Sequence, residues 1–301
     1  MVMPIYGQIN ANRRKTFFLF FFFAFLFIAV GYGLGLYLGE PLIGMIAALF
    51  VALILFLVSY YSGQKIVMAM AGAKPVKKED EPYLYHTVEG LSIAAGVPTP
   101  QAYIIENDVP NAFAAGNRPD KSVVAVTRGL LERLDRLELE GVIAHELAHV
   151  KNRDVLLATV AVVLAGTIVF VGHIMLRSFW FGRGMGRRSR GQGKGQALVM
   201  VIVLLLAIVT PIFARLLQFA ISRQREYLAD ASAAELTGYP EGLASALEKI
   251  AGLQTPDNSL ENSALNGLYI ISPAMRARGK AAGLLATHPP IEQRINRLRK
   301  M

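Results

Sequence analysis

The sequence predicts a mainly α-helical membrane protein that also carries an α+β domain with a small sheet. Of its 301 residues, 53% are hydrophobic and the mean hydropathy is +0.41, which is too apolar for an ordinary water-soluble protein. Long apolar runs alternate with stretches of soluble composition. In one of those stretches, short β-branched segments between helical patterns indicate the sheet.

The first apolar run, residues 16–38, is long enough to span a bilayer and longer than the apolar core of a cleavable signal peptide. A basic triplet at residues 13–15 precedes it, and positive flanks favour the cytoplasmic side. A second run, residues 42–61, returns the chain to that side. We therefore expect residues 1–62 to form two transmembrane helices of a multi-pass protein of the cell membrane.

Glycines recur at four-residue spacing in and just after the first run, at Gly31, Gly35 and Gly39. Such spacing puts small residues on one side of a helix and allows a second helix to approach closely. The alternative is the ordinary enrichment of glycine in membrane helices. The spacing alone leaves both interpretations open.

The formal charge is +9, and the chain contains no cysteine. In a membrane protein, an excess of positive charge helps to set the orientation of the chain in the bilayer and favours contact with anionic lipid. No nucleic-acid-binding motif accompanies the charge. We therefore expect the lipid bilayer as a partner and no nucleic acid. Without cysteine, disulfides and thiolate ligands are excluded, so any zinc must be held by His, Asp or Glu.

Residues 63–154 have the composition of a soluble domain and form the first part of the predicted cytoplasmic domain. Residues 82–95 predict a helix that ends at Gly96, the usual stop residue. Residues 100–106 and 122–127 are short, apolar and partly β-branched, which predicts strands.

Between these strands, residues 107–116 predict a loop followed by a short strand. One interpretation is a plain β-turn region. The other is an edge strand whose free backbone groups pair with an extended peptide above a metal.

Residues 142–150 contain the motif H-E-x-x-H. On a helix, His145 and His149 lie on one face one turn apart, where two neutral imidazoles can hold one Zn²⁺. Glu146 lies beside the first histidine and can take a proton from an attacking water. The Leu-, Glu- and Arg-rich residues 127–140 predict a helix running into the motif. The alternative is a buried helix with two histidines paired to carboxylates.

Residues 155–217 predict an apolar hairpin of two runs, residues 155–176 and 197–213, joined by a glycine-rich basic loop. Two spanning helices would put that loop outside, against the positive-inside rule, whereas a re-entrant hairpin would keep it inside. We favour two spanning helices. His173 lies near the end of the first run, where an interfacial position competes with a functional one.

A catalytic zinc usually has three protein ligands and a water. The metzincin spacing would place a glycine and a third histidine after His149, but those positions hold Asn152 and Val155. The third ligand must therefore come from elsewhere in the chain.

The helical stretch 222–236 brings Glu226 and Asp230 onto one face. This suits a glutamate that binds zinc and an aspartate one turn along that orients a zinc-bound histidine. The alternative is a surface carboxylate face paired with Arg223 and Arg225.

Residues 218–301 form the second part of the predicted domain. Residues 240–253 and 290–298 predict helices, and the polar residues 254–272 between them predict a mobile segment.

Four motifs together resemble the HtpX family of membrane zinc metalloproteases, which is related to the prenyl-protein (CAAX) endopeptidases. They are H-E-L-A-H, R-E-Y-L-A-D, N-A-F-A-A-G and T-H-P-P-I-E-Q-R-I. The resemblance covers most of the chain and implies a zincin-like α+β metalloprotease domain. It implies that His145, His149 and Glu226 bind one Zn²⁺ per chain and that Glu146 is catalytic.

The resemblance also implies that Asn111 and Ala112 align the substrate. His288 matches the terminal motif and is expected near the site, although residues 287–290 also fit a simple helix start. The implied substrates are polypeptides, unfolded or membrane proteins, in quality control. The alternatives are prenyl-protein processing and a non-catalytic zinc-binding membrane scaffold. The intact Glu146 argues against a scaffold, because a structural site needs no base.

Overall fold

Two long apolar helices, α1 (Ile5–Leu38) and α2 (Pro41–Met70), begin the chain. A computed structural model describes residues 5–182, 223–252, 265, 268–271 and 289–301. Segments Arg14–Leu36 and Pro41–Met70 are long and apolar enough to cross a membrane, and only 22% and 11% of their most apolar windows are buried in the protein. The structure thus has two helices of the predicted length and composition in this part of the chain, and that they span a membrane stays a prediction.

Helix α2 extends to Met70, whereas the apolar pattern predicted an end near Tyr61. The extra turns are helical because they pack on the sheet domain: Val67 and Met68 are buried in one cluster with Phe113 and Val162. Helix α2 therefore continues past residue 62, where the sequence predicted the boundary between the membrane helices and the soluble domain. That boundary stays a prediction.

Helices α1 and α2 pack closely through glycine. A Cβ built on Gly31 would lie 2.4 Å from the Gly44 carbonyl oxygen, and one on Gly35 would lie 2.6 Å from the Glu40 carbonyl oxygen. Side chains at these positions would therefore force the helices apart. Gly39 instead forms the turn between them, with φ +87°. Close helix approach, rather than general enrichment, explains Gly31 and Gly35.

A four-stranded sheet lies in the part of the chain that the structure describes. Its strands are β1 (Lys74–Pro75), β2 (Gln101–Ile105), β3 (Ala112–Gly116) and β4 (Ser122–Thr127). Their order is β1-β2-β4-β3, with β2 and β4 parallel and the other pairs antiparallel. The segment after residue 111 is thus an edge strand and not a plain turn region.

Seven further helices surround this sheet or extend from it within the described residues. They are α3 (Pro82–Ala95), α4 (Arg128–Arg133), α5 (Arg136–Lys151), α6 (Asp154–Gly182), α7 (Arg223–Thr237), α8 (Pro240–Gly252) and α9 (Ile291–Leu298). Helix α3 ends as predicted at Gly96, whose φ of +69° is left-handed. A single 3₁₀ turn, Pro119–Lys121, precedes β4.

The prediction of one continuous helix through residues 127–140 is wrong, because the chain breaks between α4 and α5. Leu134 is extended, with φ −89° and ψ 137°. Asp135 then starts α5 with a capping box: its side chain accepts from the Glu138 backbone N–H, and the Glu138 side chain accepts from the Asp135 backbone N–H. This reciprocal cap stabilises a new helix start, typically by about 1 kcal/mol.

Helix α5 lies at the centre of the domain. Residues 142–148 are all buried, between β3 on one side and helices α3, α7 and α8 on the others. The helix therefore carries apolar residues around most of its circumference instead of a single stripe. This burial holds the motif on a rigid element.

Several predicted features lie outside the described residues. They include the second apolar run at 197–213, most of residues 254–272, and His288. Helix α6 begins at Asp154 and continues through the first run, but the side chain of His173 is also outside the described part. The choice between spanning helices and a re-entrant hairpin stays a prediction.

Candidate metal centre

Helix α5 directs both motif histidines to one point. The Nε2 atoms of His145 and His149 lie 3.2 Å apart, and the rings meet edge to face. His145 is fully buried, whereas His149 is partly open. The four-residue spacing alone produces this pairing, as expected for one face of a helix.

Helix α7 brings Glu226 to the same point from a distant part of the chain. Its carboxylate oxygens lie 3.8 Å from His145 Nε2 and 3.5 Å from His149 Nε2. The three donor atoms all lie within 4.8 Å of one another. Ligands bound tetrahedrally at roughly 2.0–2.1 Å are about 3.3 Å apart, so the donor set fits one small divalent ion. The surface-face interpretation of Glu226 and Asp230 is wrong, because both are buried.

Each imidazole is oriented by a carboxylate on its other nitrogen. His145 Nδ1 lies 3.0 Å from Asp230 Oδ1, and His149 Nδ1 lies 3.1 Å from Asp154 Oδ2. In each pair the Nδ1–H of a neutral imidazole donates to the carboxylate, so that Nε2 is the acceptor nitrogen of both rings and faces the donor cluster. This arrangement is common around metal-binding histidines.

An arginine backs each of these aspartates. Arg294 of α9 donates to both Asp230 oxygens, at 2.9 and 2.7 Å. Arg225 of α7 lies 3.2 Å from Asp154 Oδ1. The two histidines are therefore held by similar chains of contact, from arginine to aspartate to imidazole.

The charges at the centre favour a cation. The four carboxylates of Glu146, Glu226, Asp230 and Asp154 are buried, and the arginines of the preceding paragraph balance only two of them. Counted over these four carboxylates and two arginines alone, with neutral imidazoles and all four carboxylates ionised, two negative charges remain. A divalent ion at the donor cluster would balance both charges. The charge count and the distances between the donor atoms therefore both favour a divalent cation.

Burial and the neighbouring charges shift the pKa values of Glu146 and His149. Burial raises the pKa of Glu146 to about 7, and the negative charge of Glu226 adds to this effect. Burial lowers the pKa of His149, but the hydrogen bond with Asp154 and the charge of Glu226 outweigh it and raise the pKa to about 9. A metal ion would compete with that proton, because a ligating imidazole must be neutral.

A cavity opens beside the donor cluster. Its walls are Ala114, His145, Glu146, His149, Asp154, Val155, Ala158, Arg225, Glu226, Leu268 and Ile270. The backbone N–H of Ala114, on edge strand β3, hydrogen bonds to the Glu146 carboxylate. The edge strand thus borders the site, as the sequence predicted for a peptide-pairing strand.

The two predicted substrate-aligning residues lie at the start of β3, Asn111 just before the strand and Ala112 as its first residue, and neither lines this cavity. Asn111 is fully buried, and its side-chain amide donates to the Ile271 carbonyl at 2.9 Å. The Ala112 carbonyl accepts from the Ile270 N–H at 3.0 Å. Residues 268–271 therefore lie along this end of the edge strand, and alignment of substrate by Asn111 and Ala112 stays a prediction.

Sequence reasoning missed Asp154 and Arg294. Asp154 follows His149 by five positions and immediately precedes an apolar run, where it fits a simple helix start. A signal for Arg294 was present: Ile291, Ile295 and Leu298 form one apolar helix face, and Arg294 lies on it. A charged residue on an apolar face indicates a buried partner.

Comparisons with known proteins show the family to which the chain belongs. Residues 78–301 match the model of Peptidase family M48. The Protease HtpX homolog of Dictyoglomus thermophilum is 47% identical over 98% of this chain and 94% of its own length. The Protease HtpX homolog of Streptococcus gordonii is 41% identical over 99% and 100%. The crystal structure of S. mikatae Ste24p has a TM-score of 0.47 at 18% identity and covers 97% of this chain and 66% of that one.

The apolar helices, the donor cluster, the family match and the curated relatives define a membrane metalloprotease. Its apolar helices, H-E-x-x-H helix and cluster of two histidines and a glutamate are the features of that class. The chain belongs to peptidase family M48, and its curated relatives of nearly full length are HtpX proteases. The resemblance found in the motifs is thereby confirmed.

Proposed function

We propose that this metalloprotease is a zinc-dependent endopeptidase in which His145, His149 and Glu226 hold one Zn²⁺ and Glu146 is the catalytic acid–base. One observation carries the proposal: three donor atoms from two helices distant in the sequence meet within 4.8 Å, beside a buried carboxylate. Two imidazoles and a glutamate are a known donor set for catalytic zinc, which keeps one position open.

The chain's own residues account for the proton transfers. When bound, zinc supplies a Lewis acid that polarises the scissile carbonyl and makes a nearby water more acidic. Glu146 takes a proton from the attacking water and delivers it to the leaving amine. Burial raises the pKa of Glu146 to about 7 in the metal-free site, and a cation bound beside it would lower that pKa, so that the carboxylate is ionised and able to accept a proton.

The surroundings of the site favour polypeptides that emerge from a membrane. Val155 and Ala158, in the first turns of apolar helix α6, line the same cavity as Glu146. One wall of the site is thus formed by the start of an apolar helix. We propose unfolded or misfolded membrane proteins as substrates, with the catalytic domain on the cytoplasmic face of the cell membrane.

Substitution of Glu146 by Gln tests the mechanism, because it removes the base and spares the three donors. Glu146→Gln should bind zinc like the unmodified chain and lose hydrolysis of an unfolded protein by a factor of about 10² or more. Metal content and cleavage are measured on the same detergent-purified sample, with and without a chelator. Glu132→Gln, at an exposed position of α4, is the matched control. Near-normal cleavage by Glu146→Gln would reject the assigned mechanism.

A further inference from the structure

Arg294 is a charged residue in an unusual place. It lies on the short C-terminal helix α9 and is only 1% exposed, among the largest fully buried side chains of the described residues. A buried guanidinium is costly unless its charge and its donors are matched. Its neighbours therefore indicate what this charge does.

The partners of Arg294 lie around the donor cluster. Its Nε and Nη2 donate to the two oxygens of Asp230, at 2.9 and 2.7 Å, which is the two-point geometry that a guanidinium forms with a carboxylate. Its Nη1 donates to the Ile270 carbonyl at 3.1 Å and lies 3.6 Å from Glu226 Oε2. Arg294 does not line the cavity, so it does not face a substrate directly.

The contact with Asp230 continues to a donor of the cluster. The same Oδ1 atom that accepts from Arg294 lies 3.0 Å from His145 Nδ1. Two bonds from the guanidinium fix the plane of the Asp230 carboxylate, and that plane fixes the direction of the imidazole. A single-point cation would leave the carboxylate free to rotate.

We propose that Arg294 is a positioning residue for the metal site: through Asp230 it holds His145 in its ligand orientation, and it makes metal binding depend on the C-terminal helix. The proposal rests on the metal ligands named under Proposed function. Helix α9 supplies none of the three metal donors, but it supplies the Arg294 contact with Asp230. The proposal therefore gives this helix a function in metal binding in addition to its packing.

Zinc affinity of the full-length, detergent-purified protein tests the proposal through three variants. Arg294→Met removes the charge and the two-point contact, Arg294→Lys keeps the charge only, and Arg297→Met makes the same change three positions along the helix. Arg297 is exposed and lies over the Tyr227 ring, 3.7 Å from its centroid, so it is the matched control. Affinity is measured by competition with a chelator, and thermal unfolding of the metal-free samples is measured alongside.

Zinc affinity should fall by about 10–100-fold in Arg294→Met, as for the loss of other groups that orient a ligand. Arg294→Lys should lower zinc affinity measurably, by about three- to tenfold, since the charge remains without the planar fork. Arg297→Met should keep its affinity. The visible spectrum of the cobalt-loaded protein should change in Arg294→Met, because the position of His145 changes.

If Arg294 only stabilises the fold, Arg294→Met should lower the unfolding temperature. The zinc affinity of its folded fraction and the cobalt spectrum should then stay unchanged, and this result would overturn the proposal. If Arg294→Met does not fold, unchanged affinity and spectrum in Arg294→Lys would overturn it equally. An unmodified protein that binds zinc no better than Glu226→Ala would instead reject the proposed metal site itself.

Discussion

At the scale of single residues, the orientation of His149 depends on a carboxylate from the start of another helix. Asp154 begins α6, where it accepts from His149 Nδ1–H and pairs with Arg225. Lys15 of α1 also interacts electrostatically with Asp154 and Arg225. The second motif histidine is therefore connected to three helices, two of which are apolar along most of their length.

Asp154→Asn should lower zinc affinity by about 10–100-fold, because an amide is a weaker acceptor for the imidazole N–H and no longer balances Arg225. The measurement is chelator competition on purified protein. Asp120→Asn, at an exposed ion pair with Arg118, is the matched control and should keep its affinity. Equal affinities for the two variants would contradict the assigned contact.

Glu226→Ala should weaken zinc binding more than Asp154→Asn does, because it removes a donor atom rather than a group that orients one. Only two imidazoles would remain, and a catalytic zinc site usually needs three protein ligands. His173→Ala should retain zinc, since His145, His149 and Glu226 already supply the three protein ligands of a catalytic zinc site. Metal content after dialysis distinguishes the variants; zinc retained in Glu226→Ala and lost in His173→Ala would relocate the site.

At the scale of elements, helices α5 and α8 pack backbone against backbone through two glycines. A Cβ built on Gly141 would lie 2.7 Å from the Leu243 backbone nitrogen, and one on Gly242 would lie 2.5 Å from the Leu137 carbonyl oxygen. The motif helix is therefore held by a close crossing one turn before His145. Backbone atoms cannot move aside as flexible side chains can, so this crossing fixes the depth of the motif in the core.

Gly141→Ala should destabilise the protein by about 1–3 kcal/mol, because the added methyl overlaps backbone atoms of α8. This loss should exceed the gain of about 0.5–1 kcal/mol that alanine brings to a helix interior. Gly90→Ala is the matched control: Gly90 is an exposed position inside α3 where an added Cβ meets nothing within 4 Å, and it should gain that amount. Denaturant unfolding in detergent measures both, and a stabilised Gly141→Ala would refute the close crossing.

At the scale of the whole molecule, the site constrains the path of the chain through the membrane. His149 lies on α5, before apolar helix α6, and Glu226 lies on α7, after it in the chain. Both side chains belong to one donor cluster. If the residues between them enter the membrane, as the sequence predicts, the chain must return to the side that it left. Two spanning helices and a re-entrant hairpin both satisfy this condition, whereas a single span does not.

Cysteine labelling tests the cytoplasmic orientation, since the chain has no cysteine of its own. Single cysteines at Lys78, Glu235 and Met301 should be protected from a membrane-impermeant thiol reagent on intact cells, because the basic residues near the first two helices favour the cytoplasm. A cysteine at Glu40 should react, and one at Gln192 distinguishes a spanning from a re-entrant hairpin. Permeabilised cells are the control for reactivity. Labelling at Glu235 from outside in active protein would refute the orientation.

Features set by neighbours along the chain were predictable from the sequence. The spacing of His145 and His149 places them on one helix face, and Gly96 ends α3 because it adopts a left-handed conformation. Sequence reasoning missed the break before α5, although the Asp135–Glu138 capping box that causes it is a local signal. The Leu- and Arg-rich residues on either side favour a helix, and the prediction followed them. Helix propensity is thus a weak guide where a cap competes with it.

The sequence by itself determined the long apolar runs and the two histidines with their adjacent glutamate, because run length and four-residue spacing act locally. The protease family came from the resemblance of four motifs to a known family, which the family match then confirmed. Only the tertiary structure decided which distant groups complete the centre. Glu226 and Asp230 were open alternatives until α7 packed on α5, and Asp154 and Arg294 had no assigned partner. These contacts depend on how buried helices cross, and a crossing follows from the packing of many side chains at once, which no local pattern encodes.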